Sequence, residues 1–257
     1  MKYPNSILIL VTFLCSTAFG FSPYENALVS ELDQRVGLLA YLETSDLEAA
    51  QKLVADISDK SDRHLAKAGA KNVNVFFRDL NGRIAVFAYY ETGQKGLDGL
   101  TTLLGEHANE ISKLEEMLIP HTRAAEGEAW VRMEWMNCIA TTEAFPHDKK
   151  EIQKLGLMSG LKPEKELTYR QLHQTNWPGV VDGMILSNYR HWTTFLIEDG
   201  DALYMYTYCE YIGDDIDADN KVMAADPATQ RWWKHTDPCN INLHGEGNWS
   251  LMTSGGE

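Results

Sequence analysis

The chain is short of cysteine, of basic residues and of long apolar runs, and each shortage excludes a class of protein. Four cysteines stand among 257 residues, with no C-x-x-C pair and no histidine-rich pattern of the kind that holds a metal. So sparse a set is not a disulfide framework, and one bridge or none is expected. Lys and Arg number 23 against 37 Asp and Glu, a formal charge of −14. That balance keeps a protein in solution and repels phosphate backbones, so nucleic acid is disfavoured as a partner. The apolar stretch from Ile7 to Leu14 falls far below the ~20 residues that a membrane span requires.

That stretch reads instead as the core of an export leader. Lys2 supplies the positive start and Ala18-Phe19-Gly20 ends it with small residues at the right spacing, so residues 1–20 are expected to be a signal peptide cleaved after Gly20. Phe13-Leu14 before Cys15 are too bulky for a good lipoprotein signal. The expected product is exported, periplasmic or secreted, and its formal charge falls to −15 once Lys2 is lost. The remaining length suits one large domain or two ordinary ones.

Internal comparison decides for two. Val36-Gly37-Leu38-Leu39 echoes Leu155-Gly156-Leu157-Met158, a shift of 119 positions. The same shift carries Leu53 to Leu172, Phe76 to Phe195, Tyr89 and Glu91 to Tyr208 and Glu210, and Trp130 and Met133 to Trp249 and Met252. One offset held from end to end is the mark of a duplication.

Each copy has the same element order. In the first, Val36–Leu42 is a strand, Leu47–Ala68 has helical spacing with Gly69 as a stop, and Asn72–Arg78 and Ile84–Glu91 are strands about the hairpin signal Asn81-Gly82. Leu97–Met117 is again helical, and Trp130–Ile139 is a last strand. In the second, strands are expected at Leu155–Leu161, Arg190–Ile197, Leu203–Tyr211 and Trp249–Met252. Its helices are expected at Pro163–Leu186, ended or kinked at Trp177-Pro178, and at Asp217–His235, broken near Pro227. The reading is α+β: two tandem ferredoxin-like β-α-β-β-α-β units, 21–146 and 147–257, joined near Ala144–Lys150. Packing their two uncovered sheet faces together would make an intrachain dimeric α/β-barrel.

The copies differ in one systematic way. Ala50, Val54, Val73 and Leu114 of the first correspond to Tyr169, His173, Trp192 and Trp233 of the second. Aliphatic residues would have served burial, so the aromatic and ionisable set calls for another purpose. Tyr169 and His173 lie four apart on one helix face, and Trp232-Trp233 sits near the end of the next helix. Rings beside hydroxyl and imidazole groups suit a sugar, whose C–H faces stack while its hydroxyls seek partners. Taken singly, a helical histidine can be structural and a tryptophan pair can be core; their joint appearance in one copy favours a site.

At these residues the sequence resembles the L-rhamnose mutarotase family. The resemblance is carried by Tyr169-x-x-x-His173-x-x-x-Trp177-Pro178, by Arg190-His191-Trp192-Thr193-Thr194-Phe195-Leu196, by Gly213-Asp214-Asp215 through Met223-Ala224-Ala225-Asp226-Pro227, and by Thr229-Gln230-Arg231-Trp232-Trp233-Lys234 continuing to Thr236-Asp237-Pro238-Cys239. It covers essentially the whole second unit. The first matches in outline, most clearly at Glu128 to Glu134.

The resemblance implies a dimeric α/β-barrel and interconversion of the α and β anomers of a free deoxy sugar, with L-rhamnose the first candidate and no cofactor or metal. It implies His173 as proton donor to the ring oxygen, Tyr169 in contact with the sugar, and Trp232 and Trp233 as pocket walls. A second family tyrosine falls on Trp192, a departure, although a small shift would bring Tyr189 to that place. The first unit lacks the set and is expected to be inactive. Two other readings stand beside the enzyme: a secreted sugar-binding module that has lost turnover, and some other reaction of the α/β-barrel superfamily.

Overall fold

A computed structural model of the chain describes residues 34–56, 70–92, 108–245 and 247–255. The leader, the stretch 57–69 with Gly69, and residues 93–107 lie outside the described residues. The first half contains β1 (Gln34–Leu42), a helix α1 described over 47–56, the hairpin β2 (Ala70–Leu80) and β3 (Arg83–Thr92), α2 (Ala108–Met117), and the short strands β4 (Leu118–Ile119), β5 (Val131–Arg132) and β6 (Glu134–Ile139). Residues 140–152 then run without helix or strand. The second half contains β7 (Gln153–Leu161), α3 (Glu166–His173), α4 (Pro178–Leu186), β8 (Tyr189–Asp199), β9 (Ala202–Tyr211), α5 (Ile216–Ala225), α6 (Pro227–Thr236), β10 (Asn240–Ile241) and β11 (Ser250–Ser254).

The duplication is written into the strand register. β1 pairs antiparallel with β3 from Gln34↔Thr92 to Leu42↔Ile84, and β7 pairs with β9 from Gln153↔Tyr211 to Leu161↔Leu203, each position 119 further on. The β2–β3 and β8–β9 hairpins match in the same way, down to a bulge between Lys71 and Asn74 in one and between Arg190 and Thr193 in the other. The β2–β3 turn has positive φ at both Asn81 and Gly82, 57° and 86°, the tight hairpin geometry for which that pair is selected.

The last strand of each half crosses to the other. β5 pairs with β1, but β6, one residue on, pairs with β8. Ser250–Met252 of β11 pair with β7, while Thr253 and Ser254 pair with β2. With the segment 131–139 touching β1 at one end and β8 at the other, the antiparallel pairings close into a ring. The expected strand Trp130–Ile139 is therefore split at Met133, whose N–H donates to the Gly37 carbonyl at 2.9 Å.

The ring explains why several strands read as apolar runs rather than alternations. On β1, Leu39 and Tyr41 face an interior core shared by both halves, while Leu38, Ala40 and Leu42 belong to a core on the other face with Ala50 and Val54 of α1. A strand covered on both faces has no polar side to alternate with. Across the interior, Tyr89 and Tyr208 stack at 3.9 Å with planes 6° apart. A Cβ added at Gly37 would lie 2.7 Å from the ring of Phe195, and one added at Gly156 would lie 2.3 Å from the ring of Phe76. Each half thus rests a phenylalanine on the other's glycine, at positions related by the repeat.

The helices break where proline predicts. The single helix expected over Pro163–Leu186 is two, with Pro178 opening α4 after the extended Trp177. Asp226 separates α5 from α6 and caps the latter, its carboxylate accepting from the Thr229 N–H at 2.6 Å, with Pro227 in the first turn. Cys138, Cys209 and Cys239 are buried thiols, with no disulfide among the described residues. Among the described residues no helix is long and apolar enough to cross a membrane.

Gly156→Ala is expected to lower stability by about 1–3 kcal/mol, the usual cost of overpacking a core. Adding Phe76→Leu should return part of that loss, because residues in contact do not act independently. Urea unfolding of the single and double variants checks this; additive losses would mean that the two do not meet across the ring.

Candidate active site

α3 presents Tyr169 to the sheet and His173 one turn later on the same face. The two rings stack with centroids 4.2 Å apart. His173 Nδ1 lies 2.8 Å from the carbonyl oxygen of Tyr169. A carbonyl has no proton to give, so Nδ1 carries the hydrogen and the neutral ring keeps its lone pair on Nε2. Burial holds the His173 pKa down to about 4, against the pull of that hydrogen bond. The ring is therefore neutral at pH 7. Burial also pushes the Tyr169 phenol well above its ordinary value, so it stays protonated.

The walls come from three further helices. On α6, Thr229, Trp232, Trp233 and Thr236 follow helical spacing and line one cavity of about 360 Å³ with Tyr169 and His173. Trp232 meets His173 edge-on at 5.0 Å and Trp177 at 5.2 Å, and the Arg231 guanidinium lies 5.2 Å from the centre of the Trp177 ring. α4 adds Val180, Val181 and Met184, and α5 adds Met223. Two glycines let α6 approach α4: a Cβ on Gly179 would lie 2.7 Å from Ala228 Cβ, and one on Gly183 would lie 2.8 Å from Thr229 Oγ1.

All five residues singled out from sequence (Tyr169, His173, Trp192, Trp232 and Trp233) line this cavity. Tyr189 does not take the place offered to it. Its hydroxyl donates to Asn220 at 2.8 Å, and its ring packs edge-on behind Trp192 at 5.9 Å. Residues three apart on a regular strand point to opposite faces. The bulge between Arg190 and Thr193, with His191 at φ 51°, brings Tyr189 and Trp192 into one apolar cluster. The indole is thus the residue that meets the cavity.

Several lining residues were not singled out from sequence. Asp237 lines the cavity, and burial raises its carboxyl's pKa while a hydrogen bond from Asn248 Nδ2, at 2.9 Å, pulls the other way. Trp249, read as a mark of the repeat and the start of a strand, lines it too and meets Trp192 edge-on at 6.2 Å. Asn137, Asn176, Asn240 and Asn248 belong to its polar part. The side-chain oxygens Asn137 Oδ1, Asn240 Oδ1 and Thr229 Oγ1 are buried without a hydrogen-bond partner. No local sequence signal marks Asn137, which stands on β6 in the other half.

Among the described residues, the first-half counterparts of Tyr169, His173, Trp192 and Trp233 pack into the core of that half. Ala50, Val54 and Leu114 are buried in its core with Val73 packed against them, and the indole N–H of Trp130 donates to Glu115 at 3.2 Å.

Comparison with known proteins agrees with this division. Residues 154–254 match the family model described as L-rhamnose mutarotase, a stretch that holds all five of those residues. No curated protein matches the chain in sequence. Among solved structures, a candidate monooxygenase from Lactobacillus acidophilus NCFM is similar at TM-score 0.51 and 10% identity, over 86% of this chain and 94% of that one. A second candidate monooxygenase, from Fusobacterium nucleatum, has TM-score 0.46 and 7% identity over 88% and 93%. A chlorite dismutase variant from Candidatus Nitrospira defluvii has TM-score 0.36 and 10% identity over 89% and 94%. At 10% identity the likeness to the first of these concerns fold alone.

Tyr189→Phe removes one hydrogen bond behind the cavity wall and nothing within it. It is expected to cost about 1 kcal/mol in urea unfolding and to leave the tryptophan fluorescence response to a bound sugar unchanged; a lost response would put the phenol in the site.

Proposed function

We propose that this chain, whose second unit belongs to the L-rhamnose mutarotase family, interconverts the α and β anomers of a free deoxy sugar, L-rhamnose first among them. In this reading it is an exported protein of two ferredoxin-like units, 21–146 and 147–257, and only the second turns over. The observation that carries the proposal is a neutral imidazole with an uncommitted Nε2 in a cavity walled by tryptophan.

Mutarotation requires a proton to leave the anomeric hydroxyl and one to arrive at the ring oxygen. Nε2 of His173 accepts the anomeric proton. The O–H electrons then form the carbonyl, and the bond from C1 to the ring oxygen breaks towards that oxygen. The imidazolium returns its proton there, the open aldehyde turns about the C1–C2 bond, and the sequence reverses to either anomer. This order differs from the expectation that His173 starts as proton donor, because a group with a pKa near 4 holds no proton to give at neutrality. Tyr169 and the indoles of Trp192, Trp232 and Trp233 hold the ring. Acid–base help of this kind is worth roughly 100- to 10,000-fold.

Trp192 favours a second reading, a binding module without turnover, since indole offers an N–H donor and no acceptor where the family has a phenol. Saturation-transfer NMR on L-rhamnose and L-fucose separates the two. Catalysed exchange between anomers, lost in His173→Ala, is expected; calorimetric binding without exchange would favour the module. The pH profile tests the proton order. With His173 as the base, kcat/KM should hold from neutrality downwards and fall tenfold per unit below about pH 4. A rate that rises as pH falls towards 4 would restore the histidine as initial acid.

A further inference from the structure

The cavity is assigned above to the second unit, yet one of its polar walls comes from the first. β6 pairs with β8, Asn137 opposite Thr194 and Ile139 opposite Trp192, with a register shift between Trp135 and Asn137. Trp135 packs with the interior core, whereas Met136 packs beneath the helices and Asn137 and Ile139 line the cavity. Consecutive residues of a regular strand cannot share a face. The irregularity at Met136 is what turns Asn137 outward.

Asn137 is 2% exposed, and its Oδ1 has no partner. Asn240, 7% exposed, has Nδ2 committed to Ser159 Oγ at 3.0 Å, which leaves its Oδ1 free. Thr229 Oγ1, on a residue 2% exposed, is likewise unpaired. Buried polar atoms are rarely left so, and three around one cavity point to groups that they are meant to receive. Two are acceptors only, so the complement is a donor: a hydroxyl. No Lys or Arg lines the cavity, its histidine is neutral and Asp237 is a carboxyl. A phosphorylated or acidic sugar would find no counter-charge there.

β6 also fastens the helix that carries the base. Arg170 of α3 donates to both carboxylate oxygens of Glu134, at 2.6 and 2.7 Å, and to Glu166 at 2.8 Å.

We propose that the site is shared between the two copies: Asn137, on the last strand of the first copy, accepts a hydroxyl of a neutral, unphosphorylated sugar through Oδ1, alongside Asn240 and Thr229 of the second. The proposal rests on the sugar reading above. The first copy is then a working part of the site as well as the partner that closes the ring.

Calorimetric titration of the full chain with L-rhamnose and L-fucose tests it, using wild type, Asn137→Leu, Asn137→Ser, Asn240→Ala and Thr229→Val, each checked for thermal unfolding. Affinity is expected to fall about tenfold in each variant, the value of one lost hydrogen bond in a dry site. Singly deoxygenated analogues supply a readout that a structural role would not move. One analogue should bind wild type and Asn137→Ser equally, because the hydroxyl that Asn137 holds is already missing. If wild type binds a sugar and both Asn137 variants bind it equally well, the inference fails while the sugar reading stands. If wild type binds neither sugar, the sugar reading fails and the inference with it.

Discussion

Two contacts of one kind hold the molecule to its shape: the ring of Phe76 lies against the backbone of Gly156, and the ring of Phe195 lies against that of Gly37. Each joins one half to the other. No residue with a Cβ fits under either ring without displacing it, so the interior depends on glycine at these two strand positions. With the phenylalanines seated, Phe87 and Tyr206 meet at 5.5 Å and Tyr89 and Tyr208 stack between the halves. The two sheets are then near enough for the last strand of each to leave its own sheet and pair with the other. That exchange carries Asn137 and Ile139 from the first half to the wall of a cavity otherwise made by the second.

The halves have taken opposite courses from one plan. In the first, among the described residues, Ala50, Val54 and Leu114 pack into the core between helix and sheet. In the second, rings packed against one another wall a space, and the cost falls on the polar groups left within it. His173 is held neutral by burial, and three buried oxygens lack partners. Such costs oppose stability, and they persist where a bound molecule offsets them. Desolvation also leaves the Nε2 lone pair free at neutral pH, the form in which the proposed base would take an anomeric proton.

Much of this was legible in the chain. A repeat at constant spacing carries its own register, so Gly37 with Gly156 and Phe76 with Phe195 could be paired before either was located. Asn81-Gly82 and Pro178 act through backbone dihedral limits that operate locally, and the turn and the helix break lie where they predict. Tyr169, His173, Trp192 and Trp233 stood out against aliphatic counterparts in the other copy, and Trp232 stood beside the last of them. What could not be read depends on distant partners. Alternation along 131–139 is the same whichever sheet the strand joins, so its crossing leaves no trace in composition. The bulge that sends Tyr189 behind Trp192 is a register property of a strand pair. Asn137 has no local mark, because its meaning arises only beside α3 and α6.

The central claim is that one cavity, built by both copies, receives one neutral monosaccharide. A crystal structure of the full chain soaked with several deoxy sugars addresses it directly. The expected result is a single pyranose ring per chain, between His173 and the Trp232–Trp233 pair, with a hydroxyl within hydrogen-bond distance of Asn137 Oδ1 and the anomeric oxygen near His173 Nε2. A ring bound against Ala50 and Val54 of the first half, or a second-half cavity that stays empty of sugar at saturating concentration, would contradict it.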